Sequence, residues 1–247
     1  MKFEIIVSLA DPASINIYSS LKEFSFKNVI FKQIDVHGIW YDVESDADVV
    51  LVLSTHSSES KKPCLSIHPV GNFREARLGG VDKELVMTDA IVMRELFLRI
   101  SKYSSLPVEI EATHHGPKSN KPTLFLEIGS SEEEWNNLQY GKEWSLALKD
   151  FFETFEYKIS VPVGIYIGGL HYSKARSLID EFAIGHICAK YNLPILEEDL
   201  LKMISFTRPK VDYILVERKG LGEFKHQTIE LVENFCKKYH LIKKTIN

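Results

Sequence analysis

Several features that identify common protein classes are missing from this 247-residue chain. Its three cysteines are scattered and form no C-x-x-C pair, so the sequence indicates neither a disulfide framework nor a thiolate zinc site. No apolar run is long enough to span a bilayer, and no signal-peptide pattern opens the chain. We therefore expect a cytoplasmic protein with no membrane partner, in which histidines and carboxylates would have to hold any metal.

Motifs of several enzyme classes are missing as well. There is no G-x-S-x-G elbow and no G-x-x-x-x-G-K-S/T loop, which argues against an α/β-hydrolase and against a P-loop enzyme. Residues 164–169 do not form a G-x-G-x-x-G element that leads into a helix, so no dinucleotide site is expected. The formal charge of -4 does not indicate a nucleic-acid binder. It does not exclude one, because affinity for a phosphate backbone depends on local clusters of lysine and arginine.

The patterns that are present indicate an α/β protein. Residues 2–9 and 29–34 predict strands, and the unbroken apolar run at residues 49–53 predicts a strand buried on both faces. Apolar spacing predicts a long helix at residues 82–103, and a helical region after residue 131 that breaks at Gly141. Because the chain has no repeat and no convincing linker, we expect one α/β domain that spans residues 1–247.

Histidines recur where predicted strands give way to polar or glycine-containing loops. They are His56, His68, the adjacent His114 and His115, and His171. If these strands lie in one sheet with the same polarity, the imidazoles converge on one edge, where α/β sheets usually bind ligands. Two or three of them, with Glu127, would hold zinc and leave one coordination position for water. The alternative is that each histidine closes a strand and forms only local hydrogen bonds.

Six separated segments carry a family resemblance. They are residues 54–58, 66–73, 112–117, 127–131 with Trp135, 168–172 and 185–187. Together, and in this order, they resemble the archaeal and plant-type D-aminoacyl-tRNA deacylases. The resemblance covers nearly the whole chain and implies a single α/β domain with a mixed sheet flanked by helices. That fold would be similar to the phosphorylase and peptidyl-tRNA hydrolase folds.

For function, the resemblance implies a zinc-dependent hydrolase from an archaeal-type source. It would cleave the ester between a D-amino acid and the 3'-terminal ribose of tRNA, so that the mischarged tRNA is recycled for translation. The metal ligands carried over from the matching segments are His68, His114, His115 and His171, and the catalytic residues are Glu127 and His56. The substrate-binding residues implied are Ser54, Thr55, Asn72, Gly116, Gly168, Gly169, Tyr172 and His186.

The mechanism expected from these residues is attack of a metal-activated water on the ester. Glu127 or a histidine would move the proton, and the metal or backbone N–H groups of the glycine loops would hold the oxyanion. The tRNA phosphates would be contacted by basic residues that flank the site segments, namely Arg74, Lys118 and Lys121.

Other interpretations of the same residues stay open. His186 lies in an apolar stretch that is typical of a core imidazole, and the remaining histidines, His37, His226 and His240, are assigned to the surface or the core. The chain, which we expect to be a monomer, could instead be a peptidyl-tRNA hydrolase-like or nucleoside-cleaving enzyme. It could also be a non-catalytic module that binds the end of tRNA and uses its histidines structurally.

Overall fold

Strands and helices alternate along the chain in the computed structural model, which describes residues 1–59 and 61–247. The strands are β1 (Phe3–Ser8), β2 (Val29–Ile34), β3 (Val49–Ser57), β4 (Cys64–Pro69), β5 (Thr88–Asp89), β6 (Val108–Ile110), β7 (Thr123–Ser130), β8 (Val163–Ile167), β9 (Ala183–Cys188), β10 (Thr207–Arg208), β11 (Tyr213–Glu217) and β12 (Ile242–Ile246). The helices are α1 (Pro12–Leu21), α2 (Ala90–Tyr103), α3 (Glu132–Trp135), α4 (Leu138–Thr154), α5 (Glu197–Ser205) and α6 (Lys225–Tyr239). No helix of the described residues combines the length and the apolar content that crossing a membrane requires.

The larger sheet has six strands in the order β2-β1-β3-β7-β4-β6. All of its neighbours are parallel except β4 and β7, which are antiparallel. The sheet is therefore mixed, which confirms the predicted fold class.

Strand β3 is buried on both faces, as the apolar run at residues 49–53 predicted. Val49, Leu51 and Leu53 pack with α1, α2 and α4 in one hydrophobic cluster. Val50 and Val52 point to the opposite face and pack in a separate cluster with Phe125 of β7. Successive side chains of a strand point to opposite faces, so an entirely apolar run requires cover on both sides.

A second sheet was not predicted. Four parallel strands form it in the order β12-β11-β8-β9, while β5 and β10 pair separately. One face contributes Tyr166, Ile184 and Leu215 to the cluster that also covers the larger sheet. The other face packs on α5 and α6. Because one core joins the two sheets, we infer that residues 1–247 form a single domain.

Two predicted element boundaries are wrong. The helix expected at residues 82–103 begins only at Ala90, because Asp89 caps it by accepting hydrogen bonds from the N–H groups of Ile91 and Val92. The expected break at Gly141 is absent, and α4 runs through it. A Cβ at this position would lie 2.2 Å from Oδ1 of Asn16, so the glycine permits close packing of α1 on α4.

Candidate active site

Three imidazoles meet at the end of β4. His68 lies in β4, and His114 and His115 follow β6, which pairs with β4. The ring centroid of His68 lies 4.1 Å from that of His114 and 4.8 Å from that of His115. One ring nitrogen from each of the three residues lies within 4.8 Å of the others, so this group, here called the histidine cluster, could hold a metal ion.

The orientation of each ring in the histidine cluster is fixed by a backbone carbonyl. Nδ1 of His68 lies 3.1 Å from the Pro69 oxygen, Nδ1 of His114 lies 2.8 Å from the Ala112 oxygen, and Nδ1 of His115 lies 2.5 Å from the Gly116 oxygen. A carbonyl oxygen only accepts, so Nδ1 must carry the proton in all three rings. In a ring that is neutral, Nε2 therefore keeps its lone pair, which is the arrangement seen in histidines that bind metals.

His171 and Glu111 form a second group with His114. The predicted convergence of strand ends at one edge of one sheet is wrong, because β4 is antiparallel to β7 and His171 follows β8 of the other sheet. The two sheets meet here because the Ala112 N–H donates to the His171 oxygen at 2.9 Å. Nε2 of His171 then lies 2.6 Å from Oε2 of Glu111, and its Nδ1 lies 3.0 Å from the Tyr191 hydroxyl.

His56 lies between two carboxylates. Its Nδ1 is 3.2 Å from Oε1 of Glu111 and 3.3 Å from Oε2 of Glu127, and its Nε2 contacts the Tyr172 hydroxyl. Burial opposes protonation of His56, but hydrogen bonds to Glu111 and Glu127 raise its pKa to about 10. At neutral pH this imidazole is therefore charged and forms an ion pair with each carboxylate.

Two tryptophans hold the backbone on either side of this group. The indole N–H of Trp135 donates to the His56 oxygen at 2.9 Å, and that of Trp144 donates to the Glu127 oxygen at 3.0 Å. These bonds explain why a tryptophan follows the segment at residues 127–131. The family resemblance included Trp135, whereas Trp144 was identified in the sequence only as an apolar position of a helix.

The electrostatics of the histidine cluster suit metal binding. Burial, followed by repulsion from His68, lowers the pKa of His115 to about 3, and the same causes place the pKa of His114 well below its usual range. Burial opposes a rise in the pKa of His68, but the negative charge of Glu127 raises it. His114 and His115 are therefore neutral at pH 7, which is the protonation state that coordinates a metal.

The fit of the histidine cluster to zinc is supported by an unpaired buried atom. Nε2 of the fully buried His68 has no hydrogen-bond partner among the described residues and lies 3.5 Å from Oε1 of Glu127. Leaving such an atom unpaired costs about 1–3 kcal/mol unless a ligand satisfies it. Imidazole nitrogen with a nearby carboxylate is a common donor set for catalytic zinc.

A pocket of about 300 Å³ opens beside these groups. It is lined by Thr55, His56, His114, His115, Glu127 and His171, with His37, Ile39 and Leu78 on its remaining walls. His37 had been assigned to the surface or core, but its Nε2 lies 2.9 Å from Oδ2 of the buried Asp11 at this pocket. Glu111 was missed because it occupies a polar position of an alternating strand, where a solvent-facing side chain is the usual expectation. The sequence feature that could have identified Glu111 as a site residue is its position three residues before His114.

The structure also locates the predicted substrate-binding residues. Thr55 lines the pocket, while Ser54 is buried and donates to Asp11 at 2.9 Å. Asn72 lines an adjacent groove that also contains His114 and His115. His186 is fully buried, with Nδ1 3.1 Å from the Thr113 hydroxyl, outside the pocket lining, which favours the core-imidazole interpretation.

The expected oxyanion hole is not formed by the glycine loops. The N–H groups of Gly116, Gly168 and Gly169 donate to the carbonyls of Leu78, Cys188 and Gly220, respectively. These three donors are therefore occupied by protein oxygens, which leaves the metal as the other predicted group for holding the oxyanion.

The three residues predicted to contact tRNA phosphates differ in whether their side chains already have protein partners. The Arg74 guanidinium donates to the carbonyls of Phe73, Asn192 and Pro194 and pairs with Asp199 at 3.2 Å. Lys118 is exposed and Lys121 half-buried, and neither lines the pocket. Arg74 thus joins the groove wall to residues 192–199, and its role toward phosphate stays a prediction, as do those of Lys118 and Lys121.

Comparisons with known proteins show which family this chain resembles. The D-aminoacyl-tRNA deacylase family model matches residues 43–240. The protein named D-aminoacyl-tRNA deacylase from Ignicoccus hospitalis is 34% identical over 245 residues, which cover 95% of this chain and 97% of the relative. The one from Thermococcus onnurineus is 34% identical over 261 residues, which cover 93% and 96%.

A solved structure shows the same fold. The crystal structure of a conserved protein of unknown function is similar to this chain with a TM-score of 0.87, over 99% of this chain and 95% of its own, at 24% identity. The family match and the identity to archaeal relatives together show that this chain belongs to the D-aminoacyl-tRNA deacylase family.

Proposed function

We propose that this chain hydrolyses the ester between a D-amino acid and the 3'-terminal ribose of tRNA, with zinc held by His68, His114 and His115. Family membership supports the reaction. The observation that carries the metal assignment is the set of three imidazoles whose Nδ1 atoms are bonded to backbone carbonyls and which each offer one ligand atom within 4.8 Å of the others.

The chemistry divides between the metal and the carboxylates. When bound, zinc lowers the pKa of water to about 7 and polarises a carbonyl, which suits cleavage of an ester at neutral pH. Glu127 borders the histidine cluster, and although burial opposes it, the charge of His68 lowers the pKa of this carboxyl. Glu127 is therefore ionised at neutral pH and accepts the proton of the attacking water.

His56 delivers a proton to the leaving ribose oxygen. It is charged at neutral pH and is held by Glu111, Glu127 and the Tyr172 hydroxyl, so its ring does not need to reorient during the reaction. Glu111 holds His56 and His171 in place and balances the charge of His56. His171 closes the side of the pocket next to Tyr191. Its Nε2 faces Glu111 and its Nδ1 faces Tyr191, so of the four ligands that the resemblance implied we assign the metal to the three of the histidine cluster, which leaves one coordination position for water.

The test is a chiral comparison on untagged protein. Purified protein should contain zinc, should hydrolyse D-aminoacyl-tRNA at least tenfold faster than the L-isomer, and should lose activity with a chelator and recover it with zinc. Equal rates on the two isomers would indicate a general tRNA-end hydrolase. Full activity after complete zinc removal would exclude the metal assignment, and tRNA binding without turnover would indicate a binding module.

We also propose a cytoplasmic monomer, since aminoacyl-tRNA is used by the ribosome in the cytoplasm and one chain supplies all residues of the site. Sedimentation of the active protein at assay concentration should give a mass near 28.3 kDa. A stable dimer would contradict this part of the proposal.

A further inference from the structure

We propose that the pocket at the carboxyl ends of β8 and β11 binds phosphates of the single-stranded 3' end of the tRNA substrate through Lys174, Lys190 and Lys219. This pocket, here called the lysine pocket, has a volume of about 350 Å³ and lies outside the histidine cluster. This inference rests on the proposed function, because it states which part of the tRNA substrate lies in the lysine pocket.

The topology of the second sheet creates the lysine pocket. From β8 the chain moves to β9 on one side, and it later returns to β11 on the other side. The loops after β8 and β11 therefore leave the sheet in different directions, and the pocket opens beside the point where they touch, at the hydrogen bond from the Gly169 N–H to the Gly220 oxygen (3.1 Å). Ligands of open parallel sheets bind in such crevices, outside the carboxyl ends of the strands.

The charge of the lysine pocket is positive on an acidic chain. Lys190 and Lys219 are exposed, and within the described ranges neither ammonium group pairs with a carboxylate or donates a hydrogen bond. Lys174 lies 3.9 Å from Oε1 of Glu217 and donates to the Asn247 oxygen. Glu217 also lines the pocket and accepts from the Tyr166 hydroxyl at 2.7 Å; against this one carboxylate stand three lysines, so the lining keeps a net positive charge.

The donors of the lysine pocket favour an extended polyanion over a nucleotide cofactor. Tight nucleotide sites present free backbone N–H groups to the phosphates. Here the N–H groups of Gly168, Gly169 and Lys190 all donate to protein carbonyls. Flexible ammonium groups that act through charge are the usual means of holding an RNA backbone without sequence preference.

The lysine pocket lies next to the proposed active site. Tyr172 lines the lysine pocket, and its hydroxyl contacts Nε2 of His56. The preceding residue, His171, lines the other pocket, so the two pockets are separated by one short segment of chain. If the terminal ribose lies beside His56, the preceding phosphates of the tRNA 3' end extend past His171 and Tyr172 and reach the lysine pocket.

The experiment measures binding of uncharged tRNA to the full-length chain. The double charge reversal Lys190→Glu with Lys219→Glu should raise Kd about tenfold at low salt. The slope of log Kd against log salt concentration should decrease by about 1.4, since each single-strand phosphate contact contributes about 0.7. The matched control is Lys142→Glu, an exposed lysine of α4 that lines neither pocket and should leave both values unchanged.

Two further measurements separate the possible outcomes. The ratio of kcat/KM for D-aminoacyl-tRNA to that for D-aminoacyl-adenosine, which has no phosphate, should fall about tenfold in the double variant.

Inorganic phosphate should displace tRNA no better than chloride at equal ionic strength, and displacement at micromolar concentration would indicate a small-anion site and overturn the RNA assignment. Unchanged Kd in a double variant with wild-type Tm would also overturn it. Binding of uncharged tRNA requires no hydrolysis, so a failure of the proposed deacylation would leave this test valid.

Discussion

Oε2 of Glu111 lies 2.6 Å from Nε2 of His171, and the same carboxylate reaches Nδ1 of His56 at 3.2 Å through Oε1. Glu111 is fully buried. Burial opposes its ionisation, but hydrogen bonds from His171 and His56 hold the pKa of this carboxyl well below its usual range. One buried charge therefore sets the positions of two histidines that come from different sheets.

Replacing Glu111 should damage both activity and stability. Glu111→Gln keeps the shape of the side chain but removes the charge that balances His56, so we expect the deacylation rate to fall about 10- to 100-fold. The free energy of unfolding should decrease by roughly 3 kcal/mol, because one partner of a buried charged group is lost. Single-turnover kinetics and denaturant titration measure the two effects.

The control for Glu111 is the neighbouring Glu109→Gln. Glu109 is only partly buried and pairs with the half-exposed Arg176 at 2.7 Å, so its loss should cost less than about 1 kcal/mol and leave the rate unchanged. Wild-type turnover in Glu111→Gln would show that this carboxylate is not required.

His115 should be tested with asparagine as well as alanine. Its φ of 44° lies in the left-handed region, which asparagine adopts more readily than alanine. Both His115→Asn and His115→Ala should lose zinc and nearly all turnover, whereas only the alanine variant should lose a further 1 kcal/mol or so of stability. Elemental analysis of zinc is the first readout. The exposed His226→Ala should retain zinc, and a fully loaded, active His115→Asn would contradict the metal assignment.

Gly129 provides a test of the position of His56 from the neighbouring strand. It pairs with His56 in the β3–β7 register, and a Cβ there would lie 2.5 Å from Cδ2 of the imidazole. Gly129→Ala should therefore displace the ring and lower kcat by about 100-fold while zinc is retained. Gly164→Ala, whose Cβ would meet only Leu215 and Tyr213 at 3.2 Å or more, should change kcat little. Equal kcat values for these two variants would remove His56 from the mechanism.

His186 predicts a pH dependence of stability in the metal-free protein. Burial lowers its pKa to about 4, below the value of about 6.5 expected in the unfolded chain. Between these values the unfolded chain binds the proton more readily, so the free energy of unfolding should fall as the pH decreases from 6.5 to 4, by roughly 3 kcal/mol in total. Denaturant titrations at several pH values in the presence of a chelator measure this slope. His186→Gln should make the slope shallower by this contribution, because the lowered pKa values of His114 and His115 act in the same direction and remain in the variant. An identical slope in the variant would show that other groups cause the loss.

Local sequence patterns determined the elements of the larger sheet and the membership of the histidine cluster. The apolar run at residues 49–53 could be interpreted correctly because burial on both faces leaves no polar position in a strand. His114 and His115 were found because they stand next to each other at a strand end. The family segments identified His68 and His171 without any knowledge of their distance.

Only the tertiary structure decided which of these groups meet. In the sequence Glu111 is only a polar residue of an alternating strand, but in the structure it contacts His171, which lies 60 positions away. His37 is only an isolated histidine in the sequence, but it contacts Asp11, which lies 26 positions away. The start of α2 was decided by the Asp89 cap, and the continuity of α4 through Gly141 by contact with Asn16. Sequence patterns report which face of an element is buried, because burial follows local periodicity. They do not report which buried faces come together, because that depends on how the two sheets pack around one core.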